Sequence, residues 1–414
     1  MRRLLPLAIL VGVLASGGTA SASPYAQFGV QDDAWLLHGP GTLESRIAEL
    51  DSVGVDIVRF TLDWSEVERR QGKREWGGAD AVLEGLRTRG IAAVVTLYGT
   101  PRWANGGRAK NWAPTRGAFF ASFADAAATR YWWVKKWLVW NEPNQRRWLR
   151  PTRPHTYVTK LLNPAYAALH GALGKVQVGA GVTAPRASTG GVSPVDWIRG
   201  MRAAGARLDA YAHHPYPLSR FETPWQGGCR YCETITMATL GRLQYEVKRA
   251  WGTKRIWLTE YGYQTNPPDR ALGVSPAQQA AFLGEASRRV HEAARVDMLI
   301  HYLYRDEPNV ARWQSGLTSV RGVAKPSRRA FPLPLSQVSR TGVRTVLWGQ
   351  VRPRSGRQRY VLEQFRGGRW YAVGPARLTT RLGYLQRTVS AGKGAKFRLW
   401  YPRDRLASPV LVVR

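Results

Sequence analysis

The stretch Trp137-Leu138-Val139-Trp140-Asn141-Glu142-Pro143-Asn144 sets the reading of the chain. Four apolar residues run directly into an Asn-Glu pair, and Pro143 then closes the segment. A short apolar run bounded by a breaker fits a buried strand, here one that ends on Glu142. A carboxylate in that place sits where solvent meets core. Desolvation there raises its pKa and suits it to general-acid work. The design recurs in Arg255-Ile256-Trp257-Leu258-Thr259-Glu260, again an apolar run ending on a Glu, followed by Tyr261-Gly262-Tyr263. Either Glu alone reads as a surface or capping carboxylate; two of them, each closing a buried strand, form a candidate catalytic pair.

Working outward, strand and helix patterns alternate. Strands are predicted over 27–30, 55–64, 91–97, 176–181, 208–214 and 297–304, in addition to the two that end on Glu142 and Glu260. Helices are predicted over 42–50, 79–89, 115–129, 155–173, 194–204, 237–251, 275–292 and 326–330. Thr42 reads as the cap of the first, and Ser275 followed by Pro276 as the start of the seventh. Alternation of this kind with buried strands means a parallel sheet, and eight repeats over about 300 residues fit a (β/α)8 barrel. An open doubly wound sheet would carry a Gly-rich phosphate turn after its first strand, and none is present. A barrel brings all strand ends to one face, so Glu142 and Glu260, closing strands four and seven, meet across its mouth.

The composition changes at Pro332-Leu333-Pro334. From Val343 on, short alternating stretches replace the helical pattern, and Gly367-Gly368 marks a hairpin. The expected organisation is a barrel over 23–335 and a small all-β, immunoglobulin-like sandwich over 341–414. That last segment holds 16 Lys and Arg against two acids. Its Trp and Tyr side chains have two readings, sugar contacts or sandwich core.

The first 22 residues stand apart. Met1-Arg2-Arg3 is basic, residues 4–15 are apolar, and Ala20-Ser21-Ala22 offers a small-residue cleavage site, the pattern of a signal peptide. The apolar run is shorter than the ~20 residues a bilayer span needs, and no later segment reaches it. A secreted or wall-associated protein is therefore expected. The two cysteines, Cys229 and Cys232, fit a local disulfide in an oxidising compartment. The formal net charge is +33. The basic residues are mostly Arg spread along the chain, with no nucleic-acid motif, which excludes a nucleic-acid partner. Two readings of the charge stand: a solvated cationic surface, or attraction to anionic polymers such as a cell wall or an acidic polysaccharide.

Glu142 within Trp-Asn-Glu-Pro-Asn, together with Thr259-Glu260-Tyr261, resembles the clan A retaining glycoside hydrolases, with families 39 and 5 nearest. The resemblance covers the barrel and rests on the two Glu segments and a few strand-end residues. It implies that Glu142 is the acid/base and Glu260 the nucleophile of a double displacement on a glycosidic bond, with no cofactor or metal. It implies Arg59 at the end of strand two as support for the nucleophile. Asn141 would contact a sugar 2-hydroxyl. His214 and Tyr216, from His213-His214-Pro215-Tyr216, would hold the acid/base and touch the nucleophile. Adjacent His213 and His214 on one strand point to opposite faces, which argues against a shared metal ion. The chain departs from the clan in offering Tyr302 and Tyr304 where a strand-eight Trp is common, and Tyr98 in the region of a strand-three His. Trp103, just beyond strand three, and Tyr304 are the expected aromatic substrate contacts. A carbohydrate substrate follows from this reading. The rival is a non-catalytic glycan-binding protein that keeps the barrel as a scaffold.

Overall fold

The computed structural model describes residues 23–229 and 232–414; the first 22 residues, expected from the sequence to be a signal peptide, lie outside them. The strands β1 (Gln27–Gln31), β2 (Ile57–Asp63), β3 (Ala92–Tyr98), β4 (Lys136–Val139), β5 (Gln177–Thr183), β6 (Ala210–His213), β7 (Arg255–Tyr261) and β8 (Val296–Tyr302) close into a parallel barrel in sequence order. Closure is direct, since β1 pairs with β8 from Gln27↔Met298 to Gln31↔Tyr302.

Two apolar layers hold the barrel. Inside it, Ile57, Val94, Leu138, Val182, Ala210, Ala212, Trp257, Met298 and Ile300 fill the lumen. Gly179 is needed there, because a Cβ at its position would fall 2.6 Å from the Trp257 ring and 2.7 Å from Leu138. Outside, the opposite faces of the strands pack on the helices in one large core. Strands covered on both faces read as unbroken apolar runs, which is why they were visible in the sequence.

Helix starts follow local chemistry. Thr42 Oγ1 accepts from Ser45 N at 3.1 Å. Ser275 and Gln278 form a reciprocal capping box at the head of helix Pro276–Glu292. The helix expected over 155–173 is not continuous. A π turn, Val158–Leu162, separates Pro154–Tyr157 from Asn163–Ala172. Pro164 lacks the N–H that a regular helix would direct at the Lys160 carbonyl, and the wider turn accommodates the gap. No helix of the described residues is long and apolar enough to cross a membrane.

Beyond the barrel, β9 (Leu335–Thr341), β10 (Arg344–Gln350) and β14 (Tyr384–Ser390) form one antiparallel sheet. A second contains β11 (Arg359–Arg366), β12 (Arg369–Ala372), β13 (Arg377–Leu378), β15 (Lys396–Tyr401), β16 (Leu406–Ala407) and β17 (Leu411–Val412). Leu347, Leu362, Leu385, Phe397 and Leu399 from the two sheets share one buried core, so the pair is a sandwich. The β unit begins at Leu335, not at 341. Leu335–Thr341 is polar and largely exposed over its second half, so it shows no alternation to read. Trp370 and Trp400 are not part of this core; Arg398 lies 4.4 Å from the Trp370 ring.

The sandwich meets the barrel at its base. Buried Arg352 donates to Phe331 O at 2.7 Å and Ser287 Oγ at 2.8 Å, and its guanidinium lies 3.7 Å from the Phe28 ring. Phe28 and Asp56 stand at the starts of β1 and β2, the end of the barrel opposite to Glu142 and Glu260.

Candidate active site

Glu260 lies in β7 and is buried, as the sequence reading expects. Glu142 lies beyond its strand. β4 stops at Val139, and the chain then turns through Trp140 (φ 72°) and Glu142 (φ 38°), both left-handed. Non-glycine residues in that region are strained and persist only where their surroundings over-determine them. Here Trp140 is fully buried, with Nε1 donating to Trp148 O at 2.8 Å. Glu142 N donates to Val182 O at 3.0 Å. Asn144 pins the following loop, donating to Val192 O and accepting from Ala184 N.

Arg59 is the hub. It has no exposure and makes an ion pair with Glu260 at 2.5 Å. It also donates to Gln31 Oε1 at 2.7 Å, Asn141 Oδ1 at 2.7 Å and Thr96 Oγ1 at 3.0 Å. Strands β1, β2, β3 and β7 thus converge on one guanidinium. Because Asn141 accepts through its oxygen, its amide NH2 remains to donate elsewhere. Tyr216 Oη donates to the second Glu260 oxygen at 3.1 Å. Burial, then the Glu260 charge, push this phenol well above its ordinary pKa, so it stays a donor.

His214 bridges the two carboxylates. Its Nδ1 is 3.0 Å from Glu142 Oε1 and 3.5 Å from Glu260 Oε2. Its Nε2 faces the Arg59 guanidinium at 3.3 Å. A guanidinium only donates, so Nε2 is the acceptor and Nδ1–H is directed at Glu142. Burial lowers the His214 pKa to about 3, which keeps the ring neutral. His213 points the other way, to Ile235 O and Thr183 Oγ1.

One oxygen of Glu142, one of Glu260 and a ring nitrogen of His214 lie within 4.8 Å of one another. Burial raises the Glu142 pKa to about 7, against the lowering fields of Arg59 and Arg147. The trio also has the residue types of a metal site. The chemistry of the set favours protons instead: Arg59 already supplies Glu260 with a cation, and both ring nitrogens of His214 are engaged in the network.

Two expected residues are elsewhere. Trp103 stands edge-on to Trp64 and Phe119, with Nε1 donating to Glu68 O at 2.8 Å. Tyr304 is buried against Trp35 at 4.3 Å, with its hydroxyl bound to Glu49 and Arg328. β8 ends at Tyr302, so strand alternation does not carry on to Tyr304. Tyr302 takes that part of the site, edge-on to Tyr216 and to Trp313. Trp313 packs on Tyr216 at 4.7 Å. Gln31 and Thr96 were not singled out from sequence, although Gln31 has the same signal as the two Glu, a polar residue closing an apolar strand. Cys229 and Cys232 are disulfide-bonded in the loop after β6, their Cα atoms 5.4 Å apart.

A cavity of about 250 Å³ opens beside the pair, lined by Glu142, Tyr216, Tyr263, Trp313 and the loops after β4 to β7. No family model and no curated protein matches the chain. Solved structures do. A family 39 glycoside hydrolase from Bacteroides cellulosilyticus WH2 aligns over 95% of this chain and 82% of its own, with TM-score 0.62 and 18% identity. A monomeric beta-xylosidase from Caulobacter crescentus CB15 aligns over 90% and 96%, with TM-score 0.58 and 15% identity. The GH39 enzyme from Xanthomonas axonopodis pv. citri aligns over 95% and 94%, with TM-score 0.57 and 13% identity. At these identities the likeness is one of fold: the structural neighbours of this chain are family 39 and related clan A glycoside hydrolases with an eight-stranded parallel barrel.

Proposed function

We propose that the protein is an exported retaining glycoside hydrolase acting on a poly- or oligosaccharide. The observation that carries the proposal is the pair itself, two carboxylates within 4.8 Å in contrasting surroundings. Retaining enzymes hold their carboxyl groups about 5–5.5 Å apart, whereas inverting enzymes leave about 6.5–9.5 Å for a water. Glu260, fixed by Arg59 and Tyr216, attacks the anomeric carbon and forms a glycosyl ester. Glu142, whose pKa of about 7 keeps a large protonated fraction at neutral pH, gives its proton to the departing oxygen. It then takes a proton from the water that hydrolyses the ester. Nδ1–H of neutral His214 donates to Glu142 and steadies it while its charge changes. The amide of Asn141 reaches the sugar 2-hydroxyl, a contact that strengthens in the transition state.

The sugar is tested by reducing-end release from plant, algal and bacterial wall polysaccharides and from aryl xylosides and glucosides, with Glu260→Ala alongside. The aryl glycosides are included because a beta-xylosidase and a glucosidase are among the structural neighbours. Release that Glu260→Ala abolishes is the expected result. Release that persists in that variant, or glycan binding with no release, would overturn the proposal.

A further inference from the structure

We propose, resting on the reading above, that the leaving-group half of the substrate carries an anionic substituent, a carboxylate or sulfate, held by Arg147 and Arg186. The side is set by geometry. The cavity is lined by Glu142 but not by Glu260, so it lies where the group protonated by Glu142 departs.

Its charge is one-sided. Arg147, Arg186 and Glu142 are the charged residues of its lining. Neither guanidinium has an ion pair or hydrogen bond among the described residues; Arg147 only lies 5.1 Å from the Trp148 ring. Of the other cations at the mouth, Arg59 is held by Glu260 and Lys110 by Asp63 at 2.7 Å. An anionic group entering the cavity therefore meets two guanidinium groups without a carboxylate partner.

The two arginines are also held in relation to each other. Gln145, on the Arg147 loop, donates to Arg186 O at 2.5 Å and accepts from Ser188 N at 3.1 Å. Asn111 Nδ2 donates to Arg147 O at 3.0 Å. The loops after β4 and β5 are thus tied together, with a planar donor fork on each. Such forks match carboxylate and sulfate oxygens.

The test compares two glycosides of one sugar, with 4-nitrophenol and 3-carboxy-4-nitrophenol as leaving groups. A sulfonated phenol run alongside separates a sulfated from a uronic preference. The wild type is expected to favour the anionic leaving group in kcat/KM by roughly tenfold, mainly through KM. Arg147→Gln/Arg186→Gln should erase that preference. Arg202→Gln/Arg344→Gln, which removes the same charge from exposed positions elsewhere, should keep it. An equal ratio in wild type and the first variant, or equal loss in both variants, would overturn the inference. Equilibrium dialysis of the two free phenols reads the same site without turnover. If no glycoside is cleaved but the carboxylated phenol is still retained in an Arg147- and Arg186-dependent way, the hydrolase reading fails and the anion site stands. Equal retention by both proteins ends the inference whatever the activity.

Discussion

Both ends of the barrel bury an arginine near a carboxylate, and the two ends use it differently. At the base, Arg352 is enclosed by the Phe28 ring, Phe331 O, Ser287 and Gln350, and its nearest carboxylate influence is Asp56. Burial pushes the Arg352 pKa down to about 10. Two of its hydrogen bonds, to Phe331 O and Ser287 Oγ, join the two structural units. At the mouth, Arg59 holds a carboxylate that keeps a second face towards Glu142 and His214. A buried guanidinium that bridges two units is a joint; one paired with a carboxylate that faces a second titratable group is a candidate reaction centre. Burial of an arginine alone therefore does not mark function.

That division can be broken most sharply with matched substitutions. Lys supplies one point charge and cannot serve Glu260, Gln31, Asn141 and Thr96 at once, as the Arg59 fork does. Arg59→Lys should cut kcat/KM by on the order of 10³-fold. Arg352→Lys should leave kcat/KM of the folded protein within about twofold, and lower the stability measured by urea unfolding by on the order of 2–3 kcal/mol. A loss of kcat in Arg352→Lys comparable to that in Arg59→Lys would abolish the distinction.

Glu142 sharpens the same contrast through pH. Its pKa is raised from 4.5 to about 7, first by burial. Between those values the folded protein holds the proton more tightly than the unfolded chain. The stabilisation from protonated Glu142 is complete below about pH 4.5 and is lost as the pH rises through about 7. Glu142→Gln should therefore be more stable than the wild type at pH 8, by on the order of 2 kcal/mol, with the difference vanishing near pH 4. In kinetics, wild-type kcat/KM should fall above about pH 7, and the limb should be absent in Glu142→Gln with an activated aryl glycoside. A variant less stable than the wild type at pH 8 would mean that Glu142 is not strained by its burial.

Much of the mouth was legible because strands fix direction. Arg59 and Glu260 lie within strands, Asn141 and His214 one or two residues beyond, and all of them converge. Legibility ended where the strands did. Tyr304 and Trp103 follow β8 and β3, and loop geometry, which has no period, sends both into aromatic packing. Trp313, from the loop after β8, does line the cavity, on the face where loops that follow strands are expected to lie. The left-handed turn at Trp140 and Glu142 was also hidden, since neither residue type announces a positive φ. In the sandwich, Leu335–Thr341 and Tyr384–Ser390 lacked the alternation that identified their neighbours.

The smallest expected effect separates contact from placement at the mouth. Tyr216 offers its hydroxyl to Glu260 and its ring to Trp313. Tyr216→Phe keeps the ring and removes one donor from a carboxylate that retains Arg59. The loss should appear in kcat, at about tenfold, with KM nearly unchanged. Trp313→Ala should do the reverse, raising KM by a similar factor while sparing kcat, because a cavity wall acts on bound substrate and transition state alike. The two parameters thus divide one stacked pair of rings into its catalytic and its binding half. If Tyr216→Phe raised KM and spared kcat, the phenol would belong to the cavity wall, and Arg59 alone would position Glu260.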